Sequence, residues 1–481
     1  MLVTNCAEAT LAPYVPSPER PWDADRIQHF TRRSGFGAHL TEIEAAVSMG
    51  AADFIRRSLD TARDRDARPE PEWAYYNHPQ FEAAGIEKFQ KFVDIGRWHF
   101  EDAQRYGVRE KLINFWHDHF AIQYETHSCP SYHWQYWKLL TDYAFGDFKQ
   151  LCKEMTVTPA MLFFLNGFEN RRQSPNENYA RELFELFTLG VNNGYTQADI
   201  EEASRALTGF NGGSGWCGAV RFVNWGFDDT EKTVFGRTGN FNHETLIDVL
   251  FEERGERISK FICGKLYRYY VHPVVDEDIV DGLAATFREN DFHVMPVLQQ
   301  LFASEHFFDD ANVGVMIKSP MDMTVGYLRQ GHFGDFENRI NWSFWANANM
   351  GLYFGYPPDV SGWPGNRSWI DSNRLTLRWE VMDGFSWAVH NASESTYPQW
   401  ARELTGDSRD PEVVTRAIVN YFVPRQLVSE DAYAAATDVF RHDIPGNYYD
   451  DGIWNLSWGS VSWQVTLLIR HIARMPEFQL T

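Results

Sequence analysis

Cysteine is scarce in this chain, and its cysteines are far apart. Five of the 481 residues are cysteines, and no two of them form a Cys-x-x-Cys pair; they are Cys6, Cys129, Cys152, Cys217 and Cys263. An odd number at such spacing indicates neither a disulfide framework nor a zinc ribbon. The sequence therefore predicts free, buried thiols and a reducing compartment.

Long hydrophobic runs are also missing. No stretch approaches the roughly 20 apolar residues of a membrane span. Residues 1–16 have neither the basic start nor the apolar run of a signal peptide. We therefore expect a soluble chain without a membrane span, cytoplasmic by default, with the periplasm as the open alternative.

Basic residues are outnumbered by acidic ones, 44 to 66, which gives a formal net charge of −22. This balance excludes a nucleic-acid binder and an anionic membrane surface as partner, because both need clustered Lys and Arg. Aromatic residues are abundant instead, with 18 Trp, 21 Tyr and 36 Phe. Exposed rings stack on sugar-like ligands, so the composition favours a neutral or cationic, polysaccharide-type ligand.

Apolar residues recur at three- and four-residue spacing over most of the chain, which predicts a mainly α fold. Two stretches break this pattern. Residues 209–242 combine many glycines with alternating aromatics and predict a small β-hairpin or irregular insertion. Residues 351–379 predict a Gly/Pro/Trp-rich loop. We expect an N-terminal extension over residues 1–24 and one large helical domain over residues 25–481.

The widespread catalytic signatures are missing. The sequence has no Gly-x-Ser-x-Gly elbow, no phosphate-binding Gly-x-x-x-x-Gly-Lys-Ser/Thr loop and no His-Glu-x-x-His. None of its 16 histidines has a glutamate three positions before it, so the di-iron signature is absent as well. Any chemistry must come from less familiar segments.

The first such segment contains His117, Asp118 and His119 between aromatic residues. Residues two apart on a helix point about 200° apart, so the two histidines cannot both face one ion there. They are either hydrogen-bonded residues of a buried helix or candidate catalytic residues, as metal ligand or general base.

The second segment spans residues 176–190. On a helical wheel Asn178, Glu182 and Glu185 share one face of a helix that is otherwise apolar and is expected to be buried. Buried carboxylates need partners, and Arg181 is spaced to pair with Glu185. The segment is either a structural ion-pair network or an acid/base or metal-binding cluster, with Glu182 and Glu185 as candidate catalytic residues.

Residues beside these segments and in the two irregular stretches are candidates for substrate contact. The aromatic and cationic side chains of the second stretch could form one wall of a pocket, although packing of a rigid loop explains them equally well. The substrate-binding candidates are Asn178, Arg181, Arg205, Trp363, Trp369 and Arg378. Arg205, with Asp228 and Lys232, also fits an ordinary solvated turn.

Taken together, these segments resemble a bacterial family named domain of unknown function 1800. The matching motifs are Arg33-Ser34-Gly35-Phe36-Gly37, Phe115-Trp116-His117-Asp118-His119-Phe120, Asn176-Glu177-Asn178-Tyr179-Ala180-Arg181-Glu182-Leu183, Lys318-Ser319-Pro320 and Gly362-Trp363-Pro364. The resemblance implies no assigned activity. It implies a partnership with a secreted alkaline-phosphatase-like protein, whose genes often adjoin those of the family.

The chain departs from the family pattern at two places. Members commonly have Asn where this chain has Asp118. Many have His-Asp before the hairpin lysine, where this chain has Phe227 and Asp228 before Lys232. If that histidine is a ligand in relatives, this chain lacks it.

These observations predict an enzyme, with hydrolysis of a polysaccharide-type substrate by a buried His/Glu cluster as the first hypothesis. The alternative is a non-catalytic assembly or carrier protein whose polar cluster is a structural core network. The metal ligands and cofactor are unknown. His and carboxylate side chains would suit a transition metal, but the helical separation of His117 and His119 disfavours one.

Overall fold

The computed structural model describes residues 10–211, 217–333 and 338–481. Within these ranges the chain forms 23 α-helices and two small antiparallel hairpins, which confirms the predicted mainly α class. In the described part of the chain, no helix combines the length and apolar character that crossing a bilayer requires.

The helices of the first half surround the segments singled out above. They are α1 (Ala24–Ser34), α2 (Leu40–Met49), α3 (Ala51–Asp64), α4 (His78–Ala83), α5 (Lys88–Arg105), α6 (Val108–His119), α7 (Tyr124–His127), α8 (Pro130–Asp142), α9 (Phe148–Val157), α10 (Pro159–Phe164), α11 (Asn178–Glu182) and α12 (Gln197–Ala206). A π-helix, Leu183–Thr188, continues α11 directly.

The helices of the second half complete the fold. They are α13 (His243–Tyr270), α14 (Glu277–Glu289), α15 (Val294–Phe302), α16 (Pro320–Gln330), α17 (Arg339–Asn349), α18 (Ser372–Ala392), α19 (Thr396–Thr405), α20 (Pro411–Phe422), α21 (Glu430–Arg441), α22 (Gly446–Asp450) and α23 (Val461–Ile472).

Local sequence explains several of the boundaries. Thr196 and Asp199 form a capping box at the start of α12, each side chain accepting a backbone N–H of the other residue. Ser319 and Asp322 form another at the start of α16, where Pro320 occupies the first helical position. This capping box holds Asp322 at the edge of the cavity described below.

The first irregular stretch is two hairpins. Strand β1 (Phe210–Asn211) pairs with β2 (Arg221–Phe222), and β3 (Lys232–Val234) pairs with β4 (Arg237–Gly239). Residues 212–216, between β1 and β2 in sequence, lie outside the described ranges. The second stretch is shorter than predicted, because Asp371 caps α18 through the backbone N–H of Arg374 and the helix starts at Ser372.

The expectation of free thiols is wrong for one pair of cysteines. Cys129 and Cys217 form a disulfide, with 5.5 Å between their Cα atoms and 88 positions between them in sequence. Only the folded chain brings the first hairpin to the start of α8, so sequence spacing could not show this pair. Cys152 and Cys263 are free and buried, and Cys6 lies outside the described residues. A disulfide favours an oxidising compartment over the reducing one expected.

Two hydrophobic cores meet along α1 and α16. On α1, Phe30 belongs to the core whose residues run from Tyr14 to Phe354 in sequence, whereas Ile27 belongs to the core built mainly from the C-terminal helices. On α16, Met321 packs into the first core and Met323 into the second. These two helices therefore lie between the cores, and the cavity described next opens beside them.

The described part of the predicted N-terminal extension packs against the helices. The buried Tyr14 donates its backbone N–H to the oxygen of Ala303 at 2.7 Å, and its hydroxyl donates to Arg20 O at 2.8 Å. Residues 10–23 thus form an ordered strap on the first core.

Candidate active site

The last turn of α6 points three consecutive side chains, His117, Asp118 and His119, to three different places. Because successive helical residues are rotated by about 100°, neighbours in sequence face different surroundings. The helical geometry expected from the sequence is present, and the two histidines have no common partner among the described residues.

His117 has hydrogen bonds at both ring nitrogens. Tyr136 donates its hydroxyl proton to Phe120 O (2.9 Å), so its oxygen accepts from His117 Nδ1 at 2.8 Å. Nε2 accepts the backbone N–H of Gly355 at 3.1 Å. Burial lowers the pKa of His117 to about 3, so the ring is neutral and fixes the loop that carries Gly355.

His119 connects two helices. Its Nε2 donates to the backbone oxygen of Phe187 in the π-helix at 3.0 Å, which leaves Nδ1 to accept from Lys265 Nζ at 2.9 Å. Burial, together with the nearby Lys265 ammonium, lowers the pKa of His119 far below its usual value. His119 is therefore a neutral ring that orients Lys265.

Asp118 meets the second irregular stretch. Its Oδ1 accepts the backbone N–H of Trp363 at 2.6 Å. Gly362 has φ of +85°, and a Cβ there would lie 2.3 Å from the same oxygen, so the close approach requires glycine. Burial raises the pKa of Asp118 to about 6 even though Lys265 and the Trp363 N–H oppose the shift.

A cavity of about 460 Å³ lies at this meeting point. The loop of residues 361–369 covers one side, and α6, the end of α13 and the start of α16 form much of the rest, with contributions from α1, α5 and the segments before α16 and after α17. The polar and aromatic lining consists of Arg33, Phe100, Lys111, Asn114, Phe115, His117, Asp118, Lys265, Arg268, Tyr269, Ser319, Asp322, Phe354, Ser361, Trp363, Asn366 and Trp369.

The charge of this cavity is opposite to that of the whole chain. Its described lining contains four cationic side chains and two carboxylates, hence an excess of two positive charges, whereas the chain carries −22. The cations are Arg33, Lys111, Lys265 and Arg268, and the carboxylates are Asp118 and Asp322.

The two carboxylates differ in their bonding. Asp322 forms a short ion pair with Lys111 and accepts from both the N–H and the hydroxyl of Ser319, at 2.9 and 2.8 Å. Burial alone would raise the pKa of Asp322, but Lys111 and these hydrogen bonds outweigh it and lower the pKa. Asp322 is thus held ionised, while Asp118 in the same cavity titrates near neutrality.

Comparison with known proteins identifies the family of the chain and assigns no activity to it. The sequence matches the family described as "Protein of unknown function (DUF1800)" over residues 29–480. The chain belongs to the DUF1800 family. The curated proteins and the solved structures gave no match. The predicted partnership with an alkaline-phosphatase-like protein of DUF1800 gene neighbourhoods stays a prediction.

The structure brings some of the predicted site residues of this DUF1800 chain together. His117, Trp363 and Trp369 line the cavity, and His119 lies directly behind Lys265. The aromatic part of the predicted wall therefore lies at this cavity, whereas its cationic member Arg378 does not. The catalytic role of the histidines and the substrate-binding role of the tryptophans stay predictions.

The predicted carboxylate helix lies elsewhere. Asn178, Glu182 and Glu185 do share one side of the helix, but Asn178 is exposed and both glutamates are only half-buried. The expectation of a buried helix was wrong on this side, because the periodicity shows which residues share a face and not what covers it. Arg181 pairs with Glu185 (3.5 Å), as expected, and with Glu177 (2.8 Å). None of these residues lines the cavity.

Arg205 lies beside the hairpins in a compact cluster, not in a solvated turn. It forms a salt bridge with Asp228 at 2.8 Å, and the buried Lys232 donates to Thr230 O at 2.9 Å. Burial would raise the pKa of Asp228, but hydrogen bonds from Arg205 and Thr230 lower it strongly.

Arg378 is fully buried at the base of α18. It donates to Gln479 Oε1 at 2.7 Å and to Lys318 O at 3.0 Å, which ties the C-terminus to the start of α16. Neither Arg205 nor Arg378 is among the cavity residues. Their predicted role in substrate binding finds no support in this placement.

Sequence reasoning did not select the cations of the cavity. Lys265 and Arg268 are three residues apart near the end of α13, with no acidic residue three or four positions before either of them. That unmatched pair at helical spacing was the available signal. Lys111 and Asp322 form an ion pair although they are 211 positions apart, so no local sequence pattern indicated the pair.

Among the described residues, no group of three or more His, Cys, Asp and Glu side chains is arranged to hold a metal ion. His117 and His119 each use both ring nitrogens in bonds to the protein, so neither offers a free lone pair in this conformation.

Proposed function

We propose that the protein is an enzyme that hydrolyses a polysaccharide-type substrate in this cavity, with Asp118 as the proton donor. The observation that carries the proposal is a carboxyl group that lines a cavity and whose pKa burial raises to about 6. Such a group is protonated in a useful fraction of molecules near neutral pH, as a general acid must be.

The proposed step uses one carboxyl group and one water molecule. As the bond between the sugar carbon and the bridging oxygen breaks, the bridging oxygen takes the proton of Asp118. Water adds its oxygen to that carbon, and the proton that water loses restores the carboxyl group. The net change is the addition of one water across the bond.

Neighbouring groups would keep Asp118 in position. The Trp363 N–H holds one carboxyl oxygen, so the other oxygen is left to carry the proton toward the cavity. Lys265, held by His119, would stabilise the carboxylate after proton transfer. The indole rings of Trp363 and Trp369 provide flat apolar surfaces against which a sugar ring can stack.

One observation favours the alternative of a non-catalytic carrier. Asp322, the second carboxylate of the cavity, is already bonded to Lys111 and Ser319 and is poorly placed to act as a base or nucleophile. A cavity with one free carboxyl group could bind a saccharide without cleaving it.

The variant Asp118→Asn distinguishes a hydrolase from a non-catalytic saccharide carrier. Asn retains an oxygen for the Trp363 N–H but cannot donate an acidic proton. We expect release of reducing ends from a polysaccharide panel to fall about 100-fold or more, the usual contribution of a general acid, while ligand binding persists.

Asp443→Asn is the control, because Asp443 is 90% exposed and is not among the cavity residues. It should retain full activity. Binding without turnover by the unmodified protein would support the carrier instead. Full activity in Asp118→Asn would refute the assignment of the acid.

A further inference from the structure

Of the four cations in the described lining of the cavity, only Lys111 is bonded to a carboxylate, and two others, Lys265 and Arg268, lie close together on α13. Lys265 donates to the neutral ring of His119. Arg268 is exposed at the cavity, and within the described ranges no residue forms a hydrogen bond or ion pair with it. A free arginine on the surface is ordinary, but this one lines the same cavity as a partly buried lysine.

Lys265 and Arg268 also lie on the same face of α13, one turn apart. Like charges at this spacing repel each other and destabilise a helix. The Arg268 guanidinium accordingly adds to burial in lowering the pKa of Lys265. Asp118 opposes this effect at Lys265, and a ligand anion beside Arg268 would relieve the repulsion further.

Arg33 extends the cationic side of the cavity into the core. It is buried and donates through Nε and Nη2 to the backbone oxygens of Tyr270 and Tyr269, at 3.0 and 2.7 Å. Both acceptors are neutral, so these bonds orient the guanidinium without cancelling its charge. The one carboxylate that attracts it, Asp322, is shared with Lys111.

We propose that the cavity binds an anionic saccharide, whose carboxylate, sulfate or phosphate group lies against Lys265 and Arg268 while its ring lies against Trp363 and Trp369. The inference rests on the proposed function for the saccharide and adds the charge of the substrate. It replaces the neutral or cationic ligand that composition favoured, because the local excess of positive charge decides which ligand is attracted.

Three ligands that share one sugar ring test the charge directly: glucose, glucuronate and glucose 6-phosphate. Their binding to the full chain is measured by calorimetry at low ionic strength. We expect the two anionic sugars to bind about tenfold or more tightly than glucose, as one charge-assisted contact provides. Added NaCl should weaken only the anionic sugars, because salt screens exposed charges.

Arg268→Gln is the test variant, and Arg409→Gln is its matched control. Arg409 is also exposed, has no bonding partner within the described ranges and is not among the cavity residues. Arg268→Gln should weaken the anionic sugars about fivefold to tenfold and leave glucose unchanged. Arg409→Gln should change neither, and thermal melts of both variants should match the unmodified protein.

The outcomes distinguish this inference from the proposed function. Equal affinities for glucose and the anionic sugars, with no effect of Arg268→Gln, would overturn the anionic substrate and leave the hydrolase standing. Anion-dependent binding through Arg268 without turnover of acidic polysaccharides would support the inference and refute the hydrolase. Inorganic phosphate that binds as tightly as glucose 6-phosphate would overturn the saccharide part of the assignment.

Discussion

The cavity and the Asn178–Glu185 side of the carboxylate helix contain the same types of charged groups in different surroundings. On the helix, Arg181 lies between Glu177 and Glu185, with side-chain exposures of 37%, 37% and 22%, so water screens the pairs. In the cavity, Asp118 and Lys265 are shielded and each shifts the pKa of the other. The surroundings, more than the residue types, determine which carboxylate is suited to proton transfer.

The two regions are nevertheless joined by one hydrogen bond. The π-helix that follows α11 exposes the Phe187 oxygen to His119, and His119 in turn holds Lys265. π-helical turns occur often at functional sites because they free a backbone group from the regular pattern. The carboxylate helix therefore contributes a backbone oxygen to the network behind the cavity, while its glutamates face the surface.

The largest effect is expected from Gly362→Ala. A Cβ at this position would overlap Asp118, and φ of +85° disfavours any side chain, so the loop over the cavity must shift. We expect activity to fall more than tenfold and stability by about 1–3 kcal/mol, as measured by kinetics and urea unfolding.

Gly384→Ala within α18 is the matched control, because its Cβ would meet no atom within 4 Å. Alanine in a helix interior should raise stability by about 0.5–1 kcal/mol. If both variants retain activity equally, the contact between the loop and Asp118 is not required.

A second prediction concerns the pH dependence of stability. The folded-state pKa of Asp118 is raised to about 6, so the folded chain retains a proton that the unfolded chain releases near pH 4. The free energy of unfolding, and with it the stability of the folded chain, therefore decreases as the pH rises from about 4 to 6. Asp118→Asn avoids this loss and should be more stable than the unmodified protein at pH 8 by about 3 kcal/mol.

Urea unfolding at pH 8 and at pH 4 measures this difference. At pH 4 most of it should vanish, because Asp118 is protonated in the folded protein and about half protonated in the unfolded chain. A variant that is less stable than the unmodified protein at pH 8 would contradict the raised pKa.

The smallest effect is expected from Glu182→Gln. Burial, with repulsion from Glu185, raises the pKa of Glu182, but the side chain is half-buried on the surface of its helix. We expect stability to change by less than about 0.5 kcal/mol and activity to stay unchanged. Abolished activity with an intact fold would instead return the catalytic role to the carboxylate helix, as the sequence first suggested.

A feature of this fold could be predicted from the sequence when it depends only on residues that are close together in the chain. The mainly α class and the first irregular stretch depend on neighbouring residues, so periodicity and composition show them. The cavity depends on contacts between distant segments: Asp118 meets Trp363 across 245 positions. The family motifs include the segment with Asp118 and the segment with Trp363, but only the folded structure shows that the two segments are in contact.

Burial was the other quantity that the sequence could not provide. The apolar residues around Glu182 suggested that other helices bury this face, yet Glu182 and the neighbouring Leu186 are both partly exposed. Conversely, Arg109, Glu110 and Lys111 form a charged run that would ordinarily be solvated, and all three are buried. The disulfide between Cys129 and Cys217 was missed for the same reason, because spacing does not reveal tertiary proximity.

The most direct test of the account is the pH profile of kcat/KM for the unmodified protein and for Lys265→Gln. If Asp118 donates the proton, activity falls as pH rises above about 6, where the carboxyl group ionises. Glutamine can still donate to His119 but no longer stabilises the carboxylate, so this decline should move to higher pH in the variant. A decline that stays at the same pH, or a profile without one, would contradict the role of Asp118.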